Sequence, residues 1–228
     1  MATESVVFLL DVDNTLLDND RVTLHMRRYL GEKVGAEAQK RYWELFEELR
    51  NELGYADYLG ALQRYRVEHP RDTRLLDVSW FLIRYPFANR LYPESLDVID
   101  HLNQWGPSVI LSDGDVVFQP RKVDRAGIWD AVRGRVLIYV HKEHELDEVE
   151  RRYPAEHYVM VDDKVRLLAA IKAHWGSRVT TVFPRQGHYA LDPAVVGKYP
   201  AADITVGRIG ELLGYDREKF LSAARPRA

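Results

Sequence analysis

Six short apolar runs, most of them rich in β-branched or aromatic residues, are spaced along the chain: Val6–Leu10, Val109–Leu111, Val136–Val140, Tyr158–Val161, Val179–Phe183 and Ile204–Val206. Each is too short for a helix and largely continuous rather than alternating, which predicts strands buried on both faces. Longer amphipathic segments separate most of them. Pro93-Glu94-Ser95 predicts a helix with Pro in its first turn and a stop at Gly106. Residues 163–174 carry Val165, Leu168 and Ile171 at helical spacing and end just before Gly176. This alternation predicts an α/β fold, a parallel sheet with helices on both faces.

Between Asp18 and Arg90 the alternation stops. No strand pattern is present, and Tyr42, Phe46, Leu49 and Leu53 fall on one helical face while Tyr58, Leu62 and Tyr65 fall on another. Residues 18–90 therefore read as an all-helical insert, leaving 1–17 and 91–228 as the core. Read without further function, the insert is a bundle that stabilises the core, including through homodimer contacts. Its arginines Arg64, Arg66, Arg71, Arg74 and Arg84 read as solvated helix faces. Tyr85-Pro86 and Tyr92-Pro93 mark turns where the insert returns to the core. The tail from Ala224 to Ala228 is expected to fray.

Composition narrows the functional classes. The 228 residues can hold one sizeable core, or a core and a smaller domain. A formal net charge of −3 gives no electrostatic footprint for nucleic acid. The chain has no cysteine, which excludes disulfides and a thiol nucleophile. No leader pattern and no apolar run of membrane-spanning length is visible, so the expectation is a cytoplasmic protein that does not engage membranes. Neither a Gly-x-x-x-x-Gly-Lys loop nor a Gly-x-Gly-x-x-Gly fingerprint occurs.

Candidate chemistry sits at strand ends. Asp11 and Asp13 follow the first apolar run, and two acids at the exit of a buried strand are costly unless something compensates them. A divalent cation and opposite protonation roles would do so. The bland alternative is a strand exit in which Asp13-Asn14-Thr15 makes a turn. Ser112, Lys142 and Asp163 also sit at or just past strand ends, and parallel α/β sheets bind ligands outside the carboxyl ends of their strands. His141, His144 and His157 lack the His-x-x-x-His spacing of a zinc site and read as ordinary surface or partly buried histidines.

Taken together these segments resemble the haloacid dehalogenase superfamily of hydrolases. Asp11-Val12-Asp13-Asn14-Thr15 is similar to its first motif, Val109-Ile110-Leu111-Ser112 to its second, Lys142 after Val136–Val140 to its third, and Tyr158–Asp163 to its fourth. The resemblance spans about Val6 to Leu213 and implies a Rossmann-like core with a helical cap inserted after the first motif. It implies Asp11 as nucleophile, Asp13 as general acid and base, and Ser112 and Lys142 as phosphoryl ligands. Asp113, Gly114 and the backbone amides that start the next helix would assist in substrate binding. Mg²⁺ would be held by Asp11, the Asp13 carbonyl and Asp163, with Asp162 in support or exchanging roles with Asp163. The family often places Pro after the third-motif lysine and separates its fourth-motif acids. Here Glu143 follows Lys142, and Asp162 and Asp163 are adjacent. Lys122 is the alternative cation, expected on the helix after Ser112 and pointing away from the site.

The expected activity is Mg²⁺-dependent hydrolysis of a small soluble phosphomonoester. An alkoxide leaving group needs the proton Asp13 could give. A 2-haloacid dehalogenase is the alternative, since a departing halide needs none. An idle binding domain on the same fold is the third reading.

Overall fold

The computed structural model describes residues 5–224, so the expected fraying from residue 225 onward lies outside the described residues. Val6–Leu10 (β1) is buried at all five positions. Alternate residues serve opposite faces: Val6, Phe8 and Leu10 join one apolar cluster, and Val7 and Leu9 another. Such double burial is what makes a central parallel strand read as an unbroken apolar run.

Four helices follow: α1 (Asn19–Val34), α2 (Ala36–Leu53), α3 (Tyr58–Glu68) and α4 (Leu75–Arg84). Helix α1 packs on α2 and α4, and α3 packs on the same two. Tyr42, Phe46, Leu49, Tyr58, Leu62 and Tyr65 are buried as expected, whereas Leu53 is only half-buried. The two chain crossings at the base of these helices are paired. Leu17 bridges Leu91 antiparallel, and the Asp18 N–H donates to the Arg90 carbonyl at 2.7 Å.

The rest of the chain alternates. Helix α5 (Ser95–Leu102) leads to β2 (Ser108–Asp113), then α6 (Phe118–Arg125), α7 (Ile128–Ala131) and β3 (Val136–Tyr139). Next come α8 (Leu146–Arg152), β4 (His157–Val161), α9 (Val165–Trp175) and β5 (Val179–Pro184). Short helices α10 (Gly187–Leu191) and α11 (Pro193–Val196) precede β6 (Ile204–Val206), and α12 (Arg217–Ala223) closes the described chain. The six strands form one parallel sheet in the order β3-β2-β1-β4-β5-β6. The switch in winding direction lies at β1, between β2 and β4, where such sheets form their crevice.

Three helix boundaries differ from expectation in ways that bear on the site. Helix α5 starts at Ser95 rather than in the Pro93 turn, because Glu94 is left-handed at φ 69°. The Ser95 hydroxyl donates instead to the Leu16 carbonyl at 2.8 Å, tying the helix to the strand exit. The same helix stops at Leu102. Gly106 is therefore not its cap; a Cβ there would collide with the Val6 carbonyl, so glycine is required by the close approach of the backbone to β1. Helix α9 begins two residues after Asp163, which leaves Asp162 and Asp163 in the short loop at the exit of β4.

Candidate active site

Because β1, β2 and β4 are neighbours in register, their carboxyl ends deliver Asp11, Ser112 and Asp162-Asp163 to one place. Each is nearly inaccessible: Asp11 is 5% exposed, Ser112 1%, Asp162 0% and Asp163 1%. Ligand atoms of Asp11, Asp162 and Asp163 lie within 4.8 Å of one another. Lys142 arrives from the turn after β3 and is equally buried. Its ammonium meets Asp11 Oδ1 at 2.6 Å, Asp162 Oδ2 at 2.6 Å and the Leu111 carbonyl at 3.1 Å. Asp113 fixes that turn by accepting the Lys142 backbone N–H at 2.8 Å.

Lys142 is the ammonium in contact with these acids and Lys164 adds a second positive charge nearby, so two cations face three buried carboxylates. Asp162 has a second partner, the Lys164 N–H at 2.7 Å. Both Asp163 side-chain oxygens are buried with no hydrogen-bond partner, although the Asp163 backbone N–H is fixed by donation to Thr15 Oγ1 at 3.0 Å. Burial drives the Asp162 carboxyl up to about 6 against the pull of Lys142. Burial, with Asp162 adding repulsion, pushes Asp163 well above the usual carboxylate range. For Lys142 burial opposes the charge, but Asp11, Asp162 and Asp113 outweigh it and hold the ammonium above the ordinary lysine range. An all-oxygen donor set with orphaned carboxylate oxygens suits a hard divalent cation such as Mg²⁺. Among the described residues this is the only such cluster, and it contains no histidine.

A proton–cation competition follows. A carboxyl whose folded pKa is raised above its unfolded value makes metal-free stability fall as pH rises between about 4 and about 6. A cation held at this cluster, on Asp163 with Asp162 beside it, must displace the protons burial keeps there, so its affinity grows across the same window. The melting temperature gained in Mg²⁺ over EDTA should be small at pH 5 and clearly larger at pH 7. An equal gain at both pH values would show that these carboxyls do not bind the ion.

Asp13 lies one exposed step out. Its side chain is 25% accessible and lines a cavity of about 520 Å³ between the core and helices α1–α3. Trp43, Phe46, Arg50 and Tyr55 face it on the helical side, with Asp113, Gln119 and Lys164 on the core side. Arg27 also lines it, with its guanidinium 4.0 Å above the Trp43 ring. The arginines singled out in the sequence lie elsewhere: Arg64 pairs with Glu52, Arg74 with Asp72, and Arg84 stacks on Trp80.

Two expectations need correction. Lys122 does not point away from the site. It is 1% exposed, and its ammonium sits 2.7 and 2.8 Å from the two Asp13 oxygens. Helix α6 folds its face of Phe118, Gln119, Lys122 and Val123 inward, and that stripe carries the lysine with it. Second, the Gly114 N–H donates to the Tyr139 carbonyl at 3.0 Å, and Asp115 Oδ1 takes the N–H groups of Val117 and Phe118 at 2.8 and 2.6 Å. The amides expected to assist at Gly114 and at the helix start are thus engaged within the protein. Ser112 Oγ instead accepts from Gln119 Nε2 at 3.0 Å.

The turn reading of Asn14 is also realised. At φ 61° its side-chain oxygen accepts the N–H groups of Asn19 and Asp20, joining the N-cap Asp18, which takes the Arg21 N–H, in satisfying the start of α1. His144 is exposed, His157 is buried against Thr180 at 2.9 Å, and the His141 ring packs against Gly54 at φ 83°, where any Cβ would meet it. Lys164, beside the cluster, is not singled out by the sequence; Thr15 and Gln119 receive no role there from it, and Lys122 enters only as an alternative cation pointing away.

Residues 6–174 match the family of haloacid dehalogenase-like hydrolases. The chain belongs to that family. A haloacid dehalogenase-like hydrolase from Burkholderia xenovorans LB400 is 63% identical, with a TM-score of 0.90 over 95% of this chain and 98% of that one. An L-2-haloacid dehalogenase from Xanthobacter autotrophicus, with chloropropionic acid covalently bound, is 18% identical at a TM-score of 0.58 over 91% and 96% of the two chains. The hydrolase YfnB from Bacillus subtilis, bound to magnesium, is 14% identical at a TM-score of 0.60 over 93% and 98%. These last two share the fold with this haloacid dehalogenase-like hydrolase. No curated protein matches the sequence. Among the described residues, no helix of the hydrolase is long and apolar enough to cross a membrane.

Proposed function

We propose that this hydrolase cleaves small phosphomonoesters through an aspartyl phosphate on Asp11, with Mg²⁺ held by Asp11, Asp163 and the Asp13 carbonyl. Asp162, engaged by Lys142 and the Lys164 N–H, holds the lysine. The observation that carries the reading is the Asp13 carboxyl in the cavity wall, two residues beyond Asp11. Halide displacement at Asp11 needs neither that proton donor nor a cation between the carboxylates, and so uses neither feature.

An Asp11 oxygen attacks phosphorus, and the bond from phosphorus to the alcohol oxygen breaks as Asp13 gives that oxygen its proton. Asp13, now a carboxylate, takes a proton from water. The water oxygen then attacks phosphorus, breaking its bond to Asp11 and releasing inorganic phosphate. Lys142 and Ser112 receive the phosphoryl oxygens, whose charge would otherwise repel Asp11. When bound, Mg²⁺ supplies further neutralisation of that charge. Residues 18–90 act as a cap, since the cavity that would hold the alcohol is roofed by α1, α2 and α3.

Asp13→Asn tests the assignment. It should lower kcat/KM for alkyl phosphates by about 10² to 10⁴-fold, the usual worth of a positioned acid or base. Full retention of phosphatase activity would remove Asp13 from the chemistry.

A further inference from the structure

Lys122 has no part in the steps above, yet it is as buried as Lys142. A buried ammonium is costly unless fully paired. Its hydrogen-bond acceptors are the two Asp13 oxygens and Asn19 Oδ1 at 3.1 Å. Asn19 is the first residue of α1, and its amide donates to the Tyr58 hydroxyl at 3.4 Å. That hydroxyl lies 2.8 Å from Thr23 Oγ1. On the core side, Gln119 Nε2 donates to Ser112 Oγ at 3.0 Å and reaches Asp13 Oδ2 at 3.4 Å. A continuous polar chain therefore runs from the phosphoryl ligand Ser112, through Asp13 and Lys122, to helices α1 and α3 of the insert.

We propose that Lys122 is the positioning residue for Asp13, holding both oxygens of the acid–base carboxyl in place and tying them, through Asn19, to the start of the cap. This rests on the phosphatase reading. When Asp13 gives up its proton it becomes a carboxylate beside the departing alcohol. Lys122 already stands within hydrogen-bond distance of both oxygens, so the charge that develops on Asp13 is received by a donor that need not move. Bidentate contact also keeps the carboxylate from turning toward solvent before it takes a proton from water. Because α1 begins at Asn19, the third Lys122 contact connects the position of the cap to the aim of the acid.

The contribution should depend on the leaving group. An alkoxide needs the proton, whereas 4-nitrophenolate departs nearly unaided. The experiment measures kcat/KM, which reports the first chemical step, for 4-nitrophenyl phosphate and for the alkyl phosphate the unmodified enzyme turns over best. Lys122→Met should raise the aryl-to-alkyl ratio by about 30-fold or more, and Lys122→Arg should recover part of the loss. Lys122→Gln, which keeps a polar group in the buried position, should shift the ratio in the same direction if the Met variant does not fold. Mg²⁺ affinity by calorimetry should stay within about 3-fold, since the carboxylate cluster is untouched. Equal losses on both esters, or weakened Mg²⁺ binding of the same size, would reduce Lys122 to a structural residue and overturn the proposal. Unmodified enzyme that releases phosphate from neither ester would refute the phosphatase reading itself, and the role of Lys122 with it.

Discussion

Asp11→Asn should abolish phosphate release, with kcat falling at least about 10⁴-fold in protein that remains folded. The carboxamide keeps the shape of the side chain and still offers an oxygen to Lys142, which now contacts Asp11 at 2.6 Å. It has lost the anionic nucleophile, so no aspartyl phosphate can form. The substitution also removes one of three buried acids that face two lysines, Lys142 in contact with Asp11 and Asp162 and Lys164 nearby. The metal-free variant should therefore melt no lower than the parent, which separates lost chemistry from lost structure. Residual activity above about one per cent would mean that another group attacks phosphorus.

Lys142→Met should damage stability and turnover together. The ammonium is the common counter-charge of Asp11 and Asp162 and is itself 1% exposed. Removing one member of a buried ionic cluster typically costs about 3–5 kcal/mol, because the remaining charges are left uncompensated. In a chain of this size that is a melting temperature about 6–20 °C lower in EDTA. Saturating Mg²⁺ should restore part of the difference, since it neutralises the same carboxylates. Turnover should fall at least about 10²-fold even with metal, because a phosphoryl ligand is gone. A variant that melts like the parent in EDTA would show that the cluster is neutralised some other way.

Much of this architecture is written in the chain in a form that simple periodicity can read. Strand β1 is apolar at every position and β4 at all but His157, because helices cover both sides of them, and that double burial leaves nearly unbroken runs. The acids, serine and lysine at the ends of those runs are legible because parallel topology puts those ends together. Lys122 is harder. In the stretch Arg121-Lys122-Val123-Asp124-Arg125 it looks like one more solvated base. Its burial follows from helix α6 lying across the site, a tertiary fact. A signal was present nonetheless: Phe118, Gln119, Lys122, Val123 and Ala126 share one helical face, and a polar pair within an apolar stripe points inward. The Gly114 amide illustrates the opposite failure. A glycine after a strand suggests an open phosphate cradle, but the carbonyl of Tyr139 on the neighbouring strand takes its N–H. Pro93 misplaced a helix start because the left-handed Glu94 delays it, and local sequence does not reveal a bond from Ser95 to Leu16.

The most direct test is to assay inorganic phosphate release from a broad panel of small phosphomonoesters, in Mg²⁺ and in EDTA, beside chloride release from 2-chloropropionate. The expected result is metal-dependent phosphate release, lost in Asp11→Asn, with no chloride released. Chloride release that persists in EDTA, with no phosphate from any ester, would contradict the account and make the protein a dehalogenase.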